Sequence, residues 1–384
     1  MSTSALRSIR PLHVGKFVPP PFGGMESHVD TLLVSIALHS TLIASVHPSA
    51  KPFAPSAYRV IPVHAWGIAA STALSPQLPL MARQELLSNR CNLLHVHAPN
   101  PWGDLAALIA PRNIPVVMTW HSDIIKQRTL LRAYRCIQQA ALRRADRILV
   151  FTPKHYESSE QLHRSDLQGK VRIVPVGIDF SHLDAGMGDA FLPEELHRWI
   201  AGRQVVLSVG RHVYYKGLTY LIDAFAGVPR DACLLLVGSG PMSEALRQQS
   251  FERGLSDRVR LLGNVSHREL QALLKASDVF CLPSIERSEA FGIATAEAMA
   301  CGLPAVVCEL GNGVNYLNRH EVTGLTVPPR DPKALRDALS ELLRDESMRT
   351  RLGRNARQWV RSEFSIEAMS TQTLAVYREL LEGR

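Results

Sequence analysis

Short runs of consecutive apolar residues recur along the chain, separated by stretches in which apolar positions return every three or four residues. Pro11 to Gly15, Leu42 to Val46, Leu93 to Val96, Val116 to Met118, Ile148 to Phe151 and Val171 to Pro175 are runs of the first kind and predict buried strands. Between the first two of these, Gly23-Gly24 opens a stretch in which Val29, Leu32, Leu33 and Ile36 fall on one helical face. A polar, Gly-containing segment from Ser181 to about Gly202 interrupts this rhythm, which then restarts. Val205 to Gly210, Cys233 to Val237, Val259 to Leu262, Asp278 to Ser284 and Ala305 to Cys308 read as strands. Leu218 to Phe225, Met242 to Phe251 and His267 to Ala276 read as helices. Strands alternating with helices predict parallel sheets covered by helices on both faces. The chain is therefore expected to be α/β, with two doubly wound, Rossmann-like domains, residues 1–182 and 183–364. Ligands of such sheets bind beyond the carboxyl ends of the strands, so two facing sheets would frame an interdomain cleft.

Composition narrows the class. The 384 residues suffice for two domains, and 46% apolar with 20% charged residues is a globular balance. No run of 18 apolar residues occurs and the first residues lack an apolar signal core, so neither a membrane span nor secretion is expected. The six cysteines form no C-x-x-C pair and read as small buried hydrophobes in a reducing compartment, which points to the cytoplasm. A formal net charge of +8 favours acidic partners. Much of it lies between Lys126 and Arg147, where five arginines are interleaved with apolar residues and only Asp146 opposes them. This basic helix 126–147 either touches an anionic membrane, on the inner face of the cytoplasmic membrane, or packs by its apolar stripe with solvated arginines outside. No aromatic-interleaved basic strand or zinc pattern supports nucleic-acid binding.

Four loops at carboxyl ends of expected strands carry the candidate chemistry. Gly23 and Gly24 before a helix let a backbone approach a phosphate, or merely make a turn. His121, directly after a strand, is placed to donate to a sugar hydroxyl or move a proton, or to cap the next helix. Arg211 and Lys216 lie on one Gly-bounded turn, and both can reach a diphosphate. Glu289 and Glu297, with seven residues between them, run from loop to helix, and the free N–H groups near Phe291, Gly292 and Ile293 make an anion site. Carboxylates repel phosphate, so these two acids suit hydroxyls, as sugars and ribose offer. The helix macrodipole alone would account for Glu297 but not for Glu289.

These segments, taken together and in order, resemble the retaining glycosyltransferases of family 4, which have the GT-B fold. The resemblance runs through Gly23-Gly24-Met25-Glu26, Trp120-His121-Ser122-Asp123, Val174 to Asp179, Gly210-Arg211 with Tyr215-Lys216-Gly217, Val237 to Pro241, Ser288 to Pro304 and Gly324 to Pro329. It implies that Glu289 holds hydroxyls of a donor sugar, Glu297 the ribose, and Arg211 and Lys216 the diphosphate. Gly23 and Gly24 would close on the phosphates, His121 would contact the sugar, and N–H groups at Phe291, Gly292 and Ile293 would complete the cradle. Residues 365–384 resemble a last helix that returns to the first domain. The implied reaction is hexose transfer with retention. No D-x-D triplet occurs, and two cations would stand in for a metal, so no cofactor or metal is expected. Asn312-Gly313-Val314-Asn315-Tyr316 and Trp120 to Gln127 resemble the bacterial rhamnosyl- and mannosyltransferases of O-antigen or polysaccharide assembly. That implies a GDP-linked donor and a glycan or lipid-linked acceptor, with a UDP-sugar transferase or a non-catalytic nucleotide-sugar-binding subunit as alternatives. Ala37 to Leu42 departs from the family by lacking its glycine-histidine turn. The G-x-G of a dehydrogenase is not completed, since Gly238-Ser239-Gly240 has no third glycine at the required spacing.

Overall fold

The computed structural model describes residues 9–19, 24–36, 38–47, 57–69, 72–124, 128–163, 166–184, 192–289 and 291–383. Gly23 and Lys126 lie outside them. The chain forms two compact units: Met1–Gly177 with Ile366–Arg384, and Ile178–Ser365. The expected division at residues 182/183 falls five residues later, with residues 365–384 likewise expected in the first domain.

The first unit runs β1 (Pro11–Phe17), α1 (Gly24–Ser35), β2 (Thr41–Ser45), β3 (Arg59–Val63), β4 (Ile68–Ala69), β5 (Thr72–Ala73), α2 (Leu78–Leu87), β6 (Leu93–Ala98), α3 (Pro101–Ile109), β7 (Val116–Trp120), α4 (Arg128–Arg144), β8 (Arg147–Val150), α5 (Pro153–Glu157) and β9 (Val171–Ile173). Seven strands form one parallel sheet in the order β3-β2-β1-β6-β7-β8-β9, and β4 and β5 pair separately as an antiparallel hairpin. Alternation along each strand divides the sheet's faces. Leu12, Val14, Leu94, Val96, Val116, Met118 and Ile148 face a core built with α2, α3 and α4. Leu93, Val117 and Leu149 face the opposite side, where α1 supplies Leu32 and Ile36 follows at its end.

The second unit runs α6 (Ser181–Asp184), α7 (Glu194–Ile200), β10 (Gln204–Val209), α8 (Leu218–Phe225), β11 (Ala232–Val237), α9 (Ser243–Glu252), β12 (Val259–Gly263), α10 (His267–Lys275), β13 (Val279–Leu282), α11 (Ile293–Ala300), β14 (Ala305–Cys308), α12 (Gly313–Leu317), β15 (Gly324–Val327), α13 (Pro332–Arg344) and α14 (Glu346–Glu363). Its six strands are parallel in the order β12-β11-β10-β13-β14-β15. The final helix, α15 (Ile366–Glu382), belongs to the first unit, where Met369, Val376, Tyr377 and Leu380 pack with Leu93, Val117 and Leu149.

Two edge strands escape a reading by apolar runs. β3 is interrupted by Pro62, which a sheet accommodates at its edge because Pro has no N–H for the ladder. β15 opens on a glycine and is only four residues long. The basic helix is shorter than the expected 126–147. It ends at Arg144, because Asp146 accepts from Val116 N–H at 2.8 Å and Arg147 already begins β8. Its charge is also partly spent inside the unit. Arg143 pairs with Asp166, Arg144 donates to the carbonyls of Pro111 and Ile114, and Arg147 pairs with Glu379 of α15. Among the described side chains of this segment Arg135 is an exposed arginine. Among the described residues no helix is long and apolar enough to cross a membrane.

Candidate functional site

In the second unit, β10 and β13 are neighbours whose outgoing connections lead to opposite edges of the sheet, β10 towards β11 and β13 towards β14. That reversal leaves a crevice at the carboxyl ends of the two strands. Both loops that carry the candidate residues start there. After β10 come Gly210, Arg211 and a short 3₁₀ turn over Tyr214–Lys216, closed by Gly217 in the left-handed conformation (φ 66°) as N-cap of α8. After β13 come Pro283, Ser284 and the segment to Gly292, the left-handed (φ 80°) N-cap of α11.

The two loops are stitched together. Ile285 N–H donates to the Tyr215 carbonyl at 2.8 Å, and a Cβ on Gly217 would stand 2.1 Å from the Pro283 carbonyl oxygen. Gly217 is thus required both by its φ and by the approach of a neighbouring backbone. The loop after β11 joins them, with His212 N–H donating to the Ser239 carbonyl at 3.0 Å.

On this frame Lys216 and Glu289 meet. Lys216 lays its stem over Gly210, and its ammonium stands 2.5 Å from Glu289 Oε2. Ser284 Oγ donates to the same oxygen at 3.0 Å, while Oε1 has no hydrogen-bond partner among the described residues. Glu289 is buried, 9% exposed, and its backbone carbonyl accepts from Asn312 Nδ2 at 2.6 Å. Asn312 in turn caps α12 by accepting from Val314 N–H, and Asn315 accepts from both Leu310 and Gly311 N–H. Asn312 therefore anchors the Glu289 loop from the next strand's connection, which Asn315 braces internally. The sequence singled them out only as a variant segment, without a role; their spacing around two glycines, in a loop following a strand, was the available signal.

Arg211 is exposed at the mouth of the same loop. Lys216 is already matched by a carboxylate, so the two cations differ: one is a neutralised pair, the other an open charge. α11 has no acid in its first turn, and its first N–H groups, at Ile293 and Ala294, precede any helical acceptor. Glu297 is the fifth residue of α11, half-buried and beyond the first turn, so the macrodipole does not account for it. Phe291 stacks edge-on against Phe364 at 5.2 Å between centroids, which fixes the approach to the helix. The buried Thr295 hydroxyl of that first turn has no partner among the described residues.

In the first unit the corresponding reversal lies between β1 and β6. Gly24 opens α1, and a Cβ there would meet nothing within 4 Å, so no contact with the protein demands a glycine at this position. His121 follows β7, its N–H bonded to the Ala98 carbonyl at 2.8 Å. It does not cap a helix. Its Nε2 lies 3.2 Å from His97 Nδ1, and the rings of His28 and Phe151 stand at 5.0 and 5.2 Å. Burial, and then the neighbouring His28 and His155, hold its pKa well below the ordinary histidine value, so the ring is neutral near pH 7. Sequence reasoning took His121 alone and missed its company. His95 and His97 alternate on β6, and His13 sits opposite His95 on β1, which a strand period of two would have shown.

Residues 195–359 match the family described as glycosyl transferases group 1, and residues 22–182 match glycosyltransferase family 4. The D-rhamnosyltransferase WbpZ of Pseudomonas aeruginosa is 35% identical over 367 residues, covering 93% of this chain and 92% of that protein. The chain is a family 4 glycosyltransferase. The O-antigen chain mannosyltransferase C of Escherichia coli is 30% identical to this glycosyltransferase over 98% of its chain and 100% of the relative. Its fold resembles that of the sucrose-phosphate synthase of Thermosynechococcus elongatus, with a TM-score of 0.73 at 24% identity over 98% of this chain and 100% of the other. The two parallel sheets are those of the GT-B fold, as the resemblance implied.

Proposed function

We propose that this glycosyltransferase moves a hexose, mannose or rhamnose, from a GDP-linked donor to a glycan or lipid-linked acceptor hydroxyl, with retention at the anomeric carbon. The observation that carries the donor site is the Lys216–Glu289 pair at the β10/β13 reversal, held by Ser284 and Asn312. Arg211, Lys216 and the N–H groups at Phe291, Gly292 and Ile293 take the diphosphate. Glu289 Oε1, left open, accepts from a sugar hydroxyl, and Glu297 accepts from the ribose. From the family resemblance, Gly23 and Gly24 are assigned to the phosphates and His121 to the sugar; a Cβ on Gly24 would meet nothing within 4 Å. The sugar and the wide acceptor class are supported by relatives named as a rhamnosyltransferase and an O-antigen chain mannosyltransferase.

In this reaction the bond from the anomeric carbon to the diphosphate oxygen breaks and its electron pair leaves with the nucleotide. The acceptor oxygen bonds the same face of that carbon, and its proton passes to the departing phosphate oxygen. Arg211 and Lys216 stabilise the charge that develops on the diphosphate, the role a metal has in other transferases, so turnover is metal-independent.

The test is incorporation of labelled sugar into a lipid-linked glycan extract from GDP-mannose, GDP-rhamnose and UDP-glucose, with and without chelator. Incorporation from a GDP-sugar, unchanged by chelator, is expected. Incorporation from UDP-glucose alone removes the GDP assignment, and chelator-sensitive turnover removes the metal-independent one. Binding of nucleotide-sugars without any transfer would leave a binding subunit.

A further inference from the structure

His121 is one end of a hydrogen-bonded chain that runs along the first unit's sheet to its last helix. His121 Nε2 lies 3.2 Å from His97 Nδ1, and His97 Nε2 lies 3.1 Å from His13 Nδ1. His13 Nε2 lies 3.3 Å from the Tyr377 hydroxyl of α15, which lies 2.6 Å from His95 Nδ1. His95 Nε2 lies 2.7 Å from Thr119 Oγ1. His13, His95, His97, Thr119 and Tyr377 are buried, with relative exposures of 0 to 2%. Every ring nitrogen of these four histidines has a partner except His121 Nδ1, which has none among the described residues.

A neutral imidazole has one N–H donor and one acceptor nitrogen. In a chain where each ring uses both nitrogens, one ring's choice dictates the next. Followed through the distances above, only two arrangements satisfy every link and also give the buried Tyr377 O–H an acceptor; a third, in which Tyr377 accepts from both His13 and His95, strands its own proton. In one, Thr119 donates to His95, and all four histidines carry the proton on Nδ1. In the other, all four carry it on Nε2. The first leaves His121 a donor at Nδ1, the second an acceptor. Burial, the leading cause of the lowered pKa of all four rings, keeps them neutral, as the chain requires. The flanking titratable rings, His28 from α1 and His155 near Phe151, are held below the ordinary value by burial too. His13, His95 and His97 also come near enough for a metal ion, but each of their nitrogens is already met by a hydrogen-bond partner; in the second such group, His28, His97 and His121, the Nδ1 atoms of His28 and His121 have none among the described residues.

We propose that Tyr377, His13 and His97 are positioning residues that fix which proton state His121 presents to the sugar, so that the seating of α15 sets the hydrogen-bonding sense of the site. This rests on the assignment of His121 to the sugar.

The experiment is imidazole nitrogen NMR on the full chain labelled at histidine, with donor-dependent kinetics on the same samples. In the wild type His13, His95, His97 and His121 share one tautomer. Tyr377→Phe keeps the packed ring but cuts the chain. It is expected to give His121 a tautomer mixture and to lower kcat about tenfold while the donor KM changes less than about twofold. Val376→Ala, on the same helix and outside the chain, leaves both unchanged. Different tautomers among the four rings of the wild type overturn the relay, and this needs no variant that folds. So does a Tyr377→Phe protein with unaltered His121 tautomer and kcat. A fully active His121→Ala enzyme, in contrast, would overturn the assignment of His121 while leaving the shared tautomer standing.

Discussion

Glu289 and Lys216 bind each other's fates more tightly than their spacing in sequence suggests. Their side chains are only 11% and 14% exposed, so removing either leaves a charge away from water. Lys216→Ala is expected to lower stability by about 3 kcal/mol, the cost of breaking a buried pair from one side. Lys216→Met with Glu289→Gln together should restore most of that stability and none of the transfer activity. Denaturant unfolding of the single and double variants checks this; a double variant no more stable than the single would mean the pair is not coupled. Asn312→Ala acts at one remove. It frees the Glu289 carbonyl, and a rise of about tenfold in donor KM is expected from steady-state kinetics. At this scale the sequence singles out Arg211, Lys216 and Glu289 because each lies in a loop that follows an apolar run, and Glu297 because it lies on the helix after that loop. It could not show that Lys216 pairs with Glu289 rather than standing free beside Arg211, since that depends on two loops meeting across a strand reversal. The histidine chain was hidden for a related reason: its members come from β1, β6, β7 and α15, and no local pattern joins them.

At the scale of elements, the Gly217 turn is the joint on which the site is built. Gly217→Ala puts a Cβ into the Pro283 carbonyl and holds a non-glycine residue at φ 66°. The left-handed conformation alone costs about 1–2 kcal/mol, and the backbone clash adds to it. A lowered unfolding midpoint and lost donor binding are expected; a variant as stable as the wild type would show that the two loops are not held as described. The central strands were readable because parallel sheets buried on both faces are written as unbroken apolar runs. The edge strands β3 and β15 were not, since an edge tolerates Pro62 and needs less apolar surface. The basic helix was overextended by three residues because Asp146 and Arg147 continue its charge pattern while serving a strand.

For the whole molecule, the buried histidines set a pH limit. Burial lowers His13 to about 3 and His28 to about 4 from 6.5, so the unfolded chain binds more protons than the folded one between those values. Stability is therefore full above pH 6.5 and lost as pH falls, by up to about 1.4 kcal/mol per pH unit for each ring once the pH lies between its two values. Asp104, pushed up to about 7 by burial, works in the opposite sense over pH 3.8 to 7, but it is one group against several. Unfolding midpoints at pH 7.5, 6 and 5 should fall steadily, and a flat profile would contradict neutral buried rings. The formal charge of +8 suits the proposed diphosphate-linked donor, and Arg143, Arg144 and Arg147 show that part of it is structural.

On the proposed reading, the β10/β13 reversal holds a nucleotide-sugar. Calorimetric titration of GDP-mannose into the wild type, Glu297→Ala and Lys216→Ala measures this most directly. Saturable binding to the wild type is expected, weakened at least tenfold in both variants. Binding of equal strength in all three proteins would place the nucleotide somewhere other than this pair of loops.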